Sequence, residues 1–215
     1  MGYIKRDAEG TLRQFANGFP VVAVTGPRQS GKSTLVQKVF PEKPYVTLED
    51  LDTRAFADQD PRGFLAGYPK GAVLDEVQRV PGLLSYLQGI VDREKRMGMY
   101  ILTGSQQFGL MSGITQSLAG RVALLNLLPF SFKELASAGL LGRKYEDTLF
   151  TGGYPPIYDR SLQPAVWLTN YVKTYIERDL RQLIEVRALS SFQRFLKMCA
   201  AHSGDLLNLS ALATD

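Results

Sequence analysis

Short apolar runs alternate along this chain with segments whose apolar residues recur at helical spacing. The runs are Val21–Thr25, Tyr45–Leu48, Ala72–Leu74, Tyr100–Thr103 and Val122–Leu128. Each is rich in β-branched or large apolar residues and too short for a typical helix, so each is predicted to be a buried strand. Strands that alternate with helices are typical of a parallel sheet with helices on both faces. The pattern therefore predicts an α/β domain.

The second half of the chain shows helical rather than strand periodicity. A long amphipathic segment covers residues 161–185, and a second apolar stripe is formed by Phe192, Phe195, Leu196 and Cys199. A glycine- and proline-rich turn, Gly152–Pro156, separates these helices from the α/β part. We expect an α/β domain over residues 1–136 and a helical linker or lid over residues 137–207.

The last residues predict the beginning of a further helix. Gly204 is typical of a helix stop, Ser210 of a helix N-cap, and Ala211–Ala213 would form the first turn. We expect residues 208–215 to begin another domain and the chain to be a trimmed piece of a longer protein.

Composition narrows the function classes. The 215 residues include one histidine, His202, and one cysteine, Cys199, which argues against a zinc site and against Ser-His-Asp or Cys-His catalysis. There is no charged-then-apolar leader, no pair of cysteines for an internal disulfide, and no apolar run near the ~18 residues of a membrane span. We therefore expect a cytoplasmic protein without a membrane segment. The net charge of +4 gives only weak support for a nucleic-acid partner.

A glycine-rich motif follows the first predicted strand. Residues Gly26-Pro27-Arg28-Gln29-Ser30-Gly31-Lys32-Ser33 fit G-x-x-x-x-G-K-[ST], and a helical pattern with Leu35, Val36 and Val39 comes next. Such a loop directs backbone N–H groups at phosphate oxygens, and the helix dipole adds to the attraction. We expect Lys32 to reach the β- and γ-phosphates, Ser33 to ligate Mg²⁺, and Thr34 to contact the α-phosphate. ATP is the expected nucleotide because no N-K-x-D guanine-reading motif occurs.

Two adjacent acids end the third predicted strand. Asp75 suits the Walker-B role of holding Mg²⁺ or its water, and Glu76 is then placed as a general base for an attacking water. A pair of solvated acids in a turn is the plain alternative, but the upstream Lys32-Ser33 favours function. The pair also favours hydrolysis over phosphoryl transfer, because no arginine-rich lid of the kind found in P-loop kinases follows the central strands.

Hydroxyl residues end the fourth predicted strand. Thr103 or Ser105 could hydrogen-bond the γ-phosphate or the attacking water, and Ser105 is the candidate catalytic residue. The alternative is that either hydroxyl only caps the next helix. The strand that carries them is expected to lie between the P-loop strand and the Asp75 strand.

Taken together, several motifs resemble one family. In addition to Gly26–Leu35, they are Leu74-Asp75-Glu76-Val77-Gln78-Arg79-Val80-Pro81, Leu102–Ser105, Ser117–Arg121, Leu128–Leu135, Gly152–Pro155 and Tyr175–Leu180. This set closely resembles a prokaryotic AAA+ P-loop ATPase family whose C-terminal part is a domain of unknown function. The resemblance runs essentially from end to end of the chain.

The resemblance implies an ATPase domain, a helical linker, a winged-helix-like unit and a nuclease-like tail. The winged-helix unit would begin within residues 208–215. A DNA or protein partner would then bind through a C-terminal region that this chain does not include. Arg121, just before the fifth strand, resembles the arginine finger of AAA+ proteins, which contacts the γ-phosphate of a neighbouring subunit and implies a homo-oligomer. The alternative for Arg121 is a local surface ion pair.

The sequence thus predicts Mg-dependent ATP hydrolysis that moves a C-terminal domain. Two alternatives remain open: a nucleotide-gated DNA- or protein-binding switch with slow turnover, and a small-molecule phosphotransferase. One further hypothesis concerns Asp179, which falls on the apolar face of the long helix. We expect it to pair with an arginine or to cap backbone groups, unless the helix is rotated to keep it in water.

Overall fold

A five-stranded parallel sheet forms the centre of the protein. The computed structural model describes residues 2–104, 114, 117–176, 189–204 and 206. The strands are β1 (Val21–Thr25), β2 (Tyr45–Thr47), β3 (Val73–Asp75), β4 (Tyr100–Thr103) and β5 (Val122–Asn126). They are ordered β2-β3-β4-β1-β5, and every neighbouring pair is parallel. The predicted α/β fold with a P-loop, AAA+-like sheet is confirmed, and β4 lies between β1 and β3 as expected.

Helices connect the strands and cover both faces of the sheet. Among the described residues, α1 (Ala8–Gly18), α2 (Lys32–Val39), α3 (Leu51–Gln59), α4 (Pro61–Ala66) and α5 (Leu83–Glu94) come before β5. The helices that follow β5 in the described residues are α6 (Phe132–Ser137), α7 (Tyr145–Thr151), α8 (Pro155–Asp159), α9 (Pro164–Tyr171) and α10 (Leu189–Ala201). A 3₁₀ turn, Val77–Arg79, precedes α5, and a π-helical turn, Val172–Ile176, follows α9. Side-chain caps fix several starts: Asp50 caps α3, Asp60 caps α4, and Ser131 with Glu134 forms a capping box on α6.

The sheet is buried on both sides because its central strands are apolar at every position before the last. All five residues of β1 are buried. Val22 and Val24 belong to one apolar cluster with residues of α1 and α2, whereas Val21 and Ala23 belong to the cluster on the other face with residues of α5. Successive side chains of a strand point to opposite faces, so one continuous apolar run supplies both clusters. Each fully buried Val or Leu contributes about 1.5–3 kcal/mol.

This packing brings the ends of three central strands to one edge of the sheet. In an open parallel sheet, ligands bind in the crevice at the carboxyl ends of the strands. Thr25 ends β1, Asp75 ends β3 and Thr103 ends β4. The sequence places the glycine-rich loop directly after Thr25, so the loop, the acids and the hydroxyl all lie along this edge.

The chain divides into two compact units, Met1–Pro164 and Ala165–Asp215. Within the second unit, the rings of Trp167 and Tyr171 stack with centroids 5.0 Å apart, one turn apart on α9. Ser105, Asp179 and the predicted helix start at Ser210 lie outside the described residues. In the part of the chain that the structure describes, no helix has both the length and the apolar character needed to cross a membrane.

Candidate nucleotide site

The glycine-rich loop is wound tightly between β1 and α2. Gly26, Gln29 and Gly31 all have positive φ, at 137°, 60° and 93°. Gly26 also packs directly on the chain that follows β5, because a Cβ at this position would lie 2.2 Å from the carbonyl oxygen of Leu127. Only glycine fits that contact and that backbone conformation. The residue types of the motif therefore follow from the shape of the loop.

Lys32 is the first residue of α2, and its amine is folded back over the loop. The side chain is 6% exposed, and Nζ donates hydrogen bonds to the carbonyl oxygens of Gly26 (3.2 Å) and Pro27 (2.8 Å). Burial lowers the pKa of the Lys32 amine, while the negative charges of Glu76 and Asp75 act in the opposite direction. The hydrogen bonds of this cation thus go to neutral carbonyls, which leaves its charge available to an anion at the loop.

Asp75 is the meeting point of three hydroxyl groups. Its carboxylate is buried, and Oδ1 accepts hydrogen bonds from Ser33 Oγ at 2.8 Å and from the hydroxyl of Thr103. Oδ2 accepts a hydrogen bond from the Tyr45 hydroxyl at 2.7 Å. Burial, together with this hydrogen bond to Asp75, raises the pKa of Tyr45 to about 12, so the phenol keeps its proton at neutral pH. The contact between Ser33 and Asp75 joins the two predicted metal-binding residues.

Glu76 lies beside this cluster in a left-handed backbone conformation. Its φ and ψ are 57° and 43°, and its N–H donates to Thr103 Oγ1 at 3.3 Å. Its carboxylate accepts a hydrogen bond from the side-chain amide of Gln78. Burial raises the pKa of Glu76, and the hydrogen bond from Gln78 and the charge of Lys32 offset part of this effect. A carboxylate with a raised pKa is a stronger base, which suits proton abstraction from water.

Arg6, which precedes α1, donates a hydrogen bond to the glycine-rich loop, a contact that the sequence did not predict. Arg6 is 5% exposed, and its guanidinium donates to the Ser30 carbonyl at 2.9 Å and to the Glu134 carboxylate at 2.9 Å. The same group donates to the Leu128 carbonyl at 2.6 Å. The visible signal was only the S-x-x-E capping pattern from Ser131 to Glu134, which marks the helix and not the ion pair.

The remaining predicted residues divide by position. Arg28 is half-buried, and its charge acts on both Lys32 and Glu76. Thr34 is exposed on α2, and Pro27 and Gln29 are half-buried in the loop. Ser105 lies outside the described residues, so its role stays a prediction. Tyr45 is a residue that sequence reasoning missed, because nothing in a short strand indicates that a tyrosine reaches the next strand's carboxylate.

Arg121 lies near the amino ends of the parallel strands, whereas the loop lies at their carboxyl ends. The N–H of Val21, at the amino end of β1, donates to the Arg121 carbonyl at 3.2 Å. The five residues of β1 therefore separate Arg121 from the loop by roughly 16 Å. Its guanidinium forms a two-point ion pair with Asp92 of α5, at 2.5 and 2.9 Å. Within its own chain, Arg121 thus makes the local ion pair that was the alternative, and a role in trans stays a prediction.

The residues at the crevice fit a nucleotide with Mg²⁺. The Ser30 hydroxyl is fully buried in the loop and has no hydrogen-bond partner among the described residues. The oxygen donors at Ser33 and Asp75 are of the kind that Mg²⁺ takes from a protein, one carboxylate and one hydroxyl beside substrate phosphates. No group of three or more His, Cys, Asp or Glu side chains capable of holding a metal occurs in the described ranges.

Comparisons with known proteins identify the family of this chain. A profile of the AAA domain family matches residues 18–136, and a profile of a domain of unknown function (DUF8612) matches residues 142–215. The uncharacterized proteins Rv2008c of Mycobacterium tuberculosis and Mb2031c of Mycobacterium bovis are each 34% identical over 215 residues, covering 97% of this chain and 47% of the relative. The chain therefore spans about half the length of these curated relatives.

A solved structure shows the same fold. The Walker-type ATPase PABY2304 of Pyrococcus abyssi superimposes with a TM-score of 0.55 at 16% identity, covering 99% of this chain and 88% of that one. At this level of identity the likeness concerns the fold alone.

Proposed function

Because this chain belongs to the AAA domain family, we propose that it binds ATP with Mg²⁺ and hydrolyses the β–γ phosphoanhydride bond. The observation that carries the proposal is the hydrogen bond of 2.8 Å between Ser33, at the end of the loop, and Asp75, at the end of β3. It unites the two halves of a phosphate and metal site that are far apart in sequence. Lys32 lies buried beside them with its charge directed to the loop.

Each side chain has a separate task in this proposal. The loop N–H groups and Lys32 bind the phosphates, and Ser33 and Asp75 hold Mg²⁺, which neutralises phosphate charge when bound. Glu76 accepts a proton from the attacking water, a contribution of about 10²–10⁴ in rate for a positioned base. The Glu76 carboxylate is free of the Ser33–Asp75 contact, and a base must not also be a metal ligand.

We further propose that nucleotide state moves a C-terminal domain, with an ATPase domain over residues 1–136, a helical linker over 137–207 and a winged-helix-like unit from 208. The Arg6 network supports the first part of such a path, because it links the loop carbonyl of Ser30 to residues 128–134 within one unit. A homo-oligomer through Arg121 and a DNA or protein partner of the winged-helix-like unit belong to the same proposal.

The test uses two variants and a control. Lys32→Ala is expected to abolish ATP binding in calorimetry. Glu76→Gln is expected to bind ATP·Mg²⁺ normally and to release phosphate about 10²–10⁴-fold more slowly. Lys38→Ala, an exposed lysine of the same helix, should match the wild type. Absence of binding by the wild type at millimolar ATP would refute the function, and normal hydrolysis by Glu76→Gln would refute the base.

Two further measurements address the alternatives. Phosphate release with and without DNA separates a motor-like ATPase from a slow nucleotide-gated switch, because only the latter retains a nucleotide-dependent affinity for DNA with negligible turnover. Transfer of radiolabel from the γ-phosphate to an acceptor other than water would identify a phosphotransferase.

A further inference from the structure

We propose that Tyr45 is a positioning residue that fixes the Asp75 carboxylate for binding of Mg²⁺ with the nucleotide. The inference rests on the proposed function and extends it to a residue that no P-loop or Walker-B motif includes. Tyr45 is the first residue of β2, the strand next to β3 at the edge of the sheet.

The geometry gives the two carboxylate oxygens different partners. Ser33 and Thr103 both donate to Oδ1, from α2 and β4, whereas the Tyr45 hydroxyl donates to Oδ2 at 2.7 Å. Tyr45 is paired in register with Val73 rather than with Asp75, so its long side chain reaches two residues along the neighbouring strand. A shorter hydroxyl side chain at this register could not make the contact.

This division of partners sets the orientation of the carboxylate. With Oδ2 held by Tyr45, the plane of the carboxylate is fixed and Oδ1 stays directed at Ser33, the hydroxyl assigned to Mg²⁺. Without Tyr45, rotation about the Cβ–Cγ bond is limited only by the donors on Oδ1. Hydrogen-bond partners of metal-binding side chains typically account for about 10–100-fold in metal affinity.

Tyr45 has the exposure expected of a residue with this role and not of a core residue. Its side chain is 37% exposed, whereas Asp75 is 5% exposed. The ring therefore stabilises little of the core, and removal of the hydroxyl alone changes the carboxylate's environment more than the packing. Tyr45→Phe keeps the ring and deletes only the donor.

The experiment measures Mg²⁺-dependent binding of a non-hydrolysable ATP analogue by calorimetry, with Mg²⁺ titrated and with excess EDTA. We expect Tyr45→Phe to weaken the apparent Mg²⁺ affinity by about 10-fold or more while the affinity in EDTA stays unchanged. Tyr86→Phe, an exposed tyrosine of α5, is the matched control. Asp75→Asn gives the reference for complete loss of the Mg²⁺ effect.

The outcomes separate this inference from the function on which it rests. Unchanged Mg²⁺ affinity in Tyr45→Phe, or an equal loss of affinity with Mg²⁺ and in EDTA, would overturn the role of Tyr45 while the wild type still bound ATP·Mg²⁺. A wild type that shows no Mg²⁺-dependent binding would instead overturn the proposed function itself.

Discussion

The buried ion pair between Arg6 and Glu134 gives the most demanding prediction for stability. Both side chains are 5% exposed, and Nε of Arg6 lies 2.9 Å from Oε1 of Glu134. The guanidinium also lies 4.8 Å from the centre of the Phe130 ring. Replacing Arg6 by methionine keeps much of the apolar volume but removes every side-chain donor, so the buried Glu134 carboxylate loses its counter-charge and the Ser30 carbonyl loses a hydrogen bond.

The magnitude follows from what remains around Glu134. Removal of one partner of a buried pair costs about 3–5 kcal/mol. Glu134 keeps hydrogen bonds from the N–H groups of Asp7 and Ser131, each at 2.8 Å, so we expect the lower end of that range. A loss of about 3 kcal/mol corresponds to a fall of roughly 6–12 °C in Tm for a protein of this size.

The assay is thermal and urea unfolding followed by circular dichroism. Lys133→Met provides a control in the same region, because its ion pair with Asp7 is exposed, at 77% and 53%, and such pairs contribute about 0–1 kcal/mol. The double variant Arg6→Met with Glu134→Gln should recover part of the loss, since no charge is then stranded and the amide oxygen still accepts a hydrogen bond from a backbone N–H of this region. A loss below about 1 kcal/mol in Arg6→Met would contradict the assignment of a buried ion pair.

Two further predictions concern the site. Gly26→Ala should weaken ATP binding at least 10-fold by calorimetry, because the added Cβ meets the Leu127 carbonyl at 2.2 Å. The control is Gly10→Ala on α1, which should bind ATP normally because a Cβ there meets no atom within 4 Å. Equal affinity in both variants would contradict the interpretation of a tightly wound loop. Arg121→Ala should leave ATP binding intact and lower the hydrolysis rate by up to about 10³–10⁵ if the arginine acts on a neighbouring subunit. Full activity of a strict monomer, established by light scattering, would remove the finger role.

Local patterns were enough to predict the sheet and the loop. A run such as Val21–Thr25 is apolar at consecutive positions because both of its faces are covered. Its five residues are also fewer than a typical helix contains, which favours a strand. The glycines of the loop are dictated by positive φ and by the close approach of Gly26 to the chain after β5. The positive φ is a local constraint that the motif displays, whereas the contact between Gly26 and Leu127 joins residues far apart in sequence and is visible only in the structure.

Contacts between distant residues could not be predicted in this way. Arg6 and Glu134 are separated by 128 positions, and Tyr45 and Asp75 by 30. No periodicity links such pairs, because they meet only after the sheet has aligned their elements. Arg121 illustrates the same limit: its position before β5 indicated a finger, whereas its ion pair joins it to Asp92, 29 positions earlier in the sequence.

The contacts of Arg6 and α1 determine where a stable fragment of this domain can begin. The AAA domain profile begins at residue 18, yet Leu12 of α1 is fully buried in the core and Arg6 holds the back of the loop. A fragment that started at the profile boundary would expose the apolar face of α2 and leave Glu134 without its counter-charge. Expression boundaries for this domain should therefore be drawn upstream of Arg6, at the cost of including a segment that the profile leaves out.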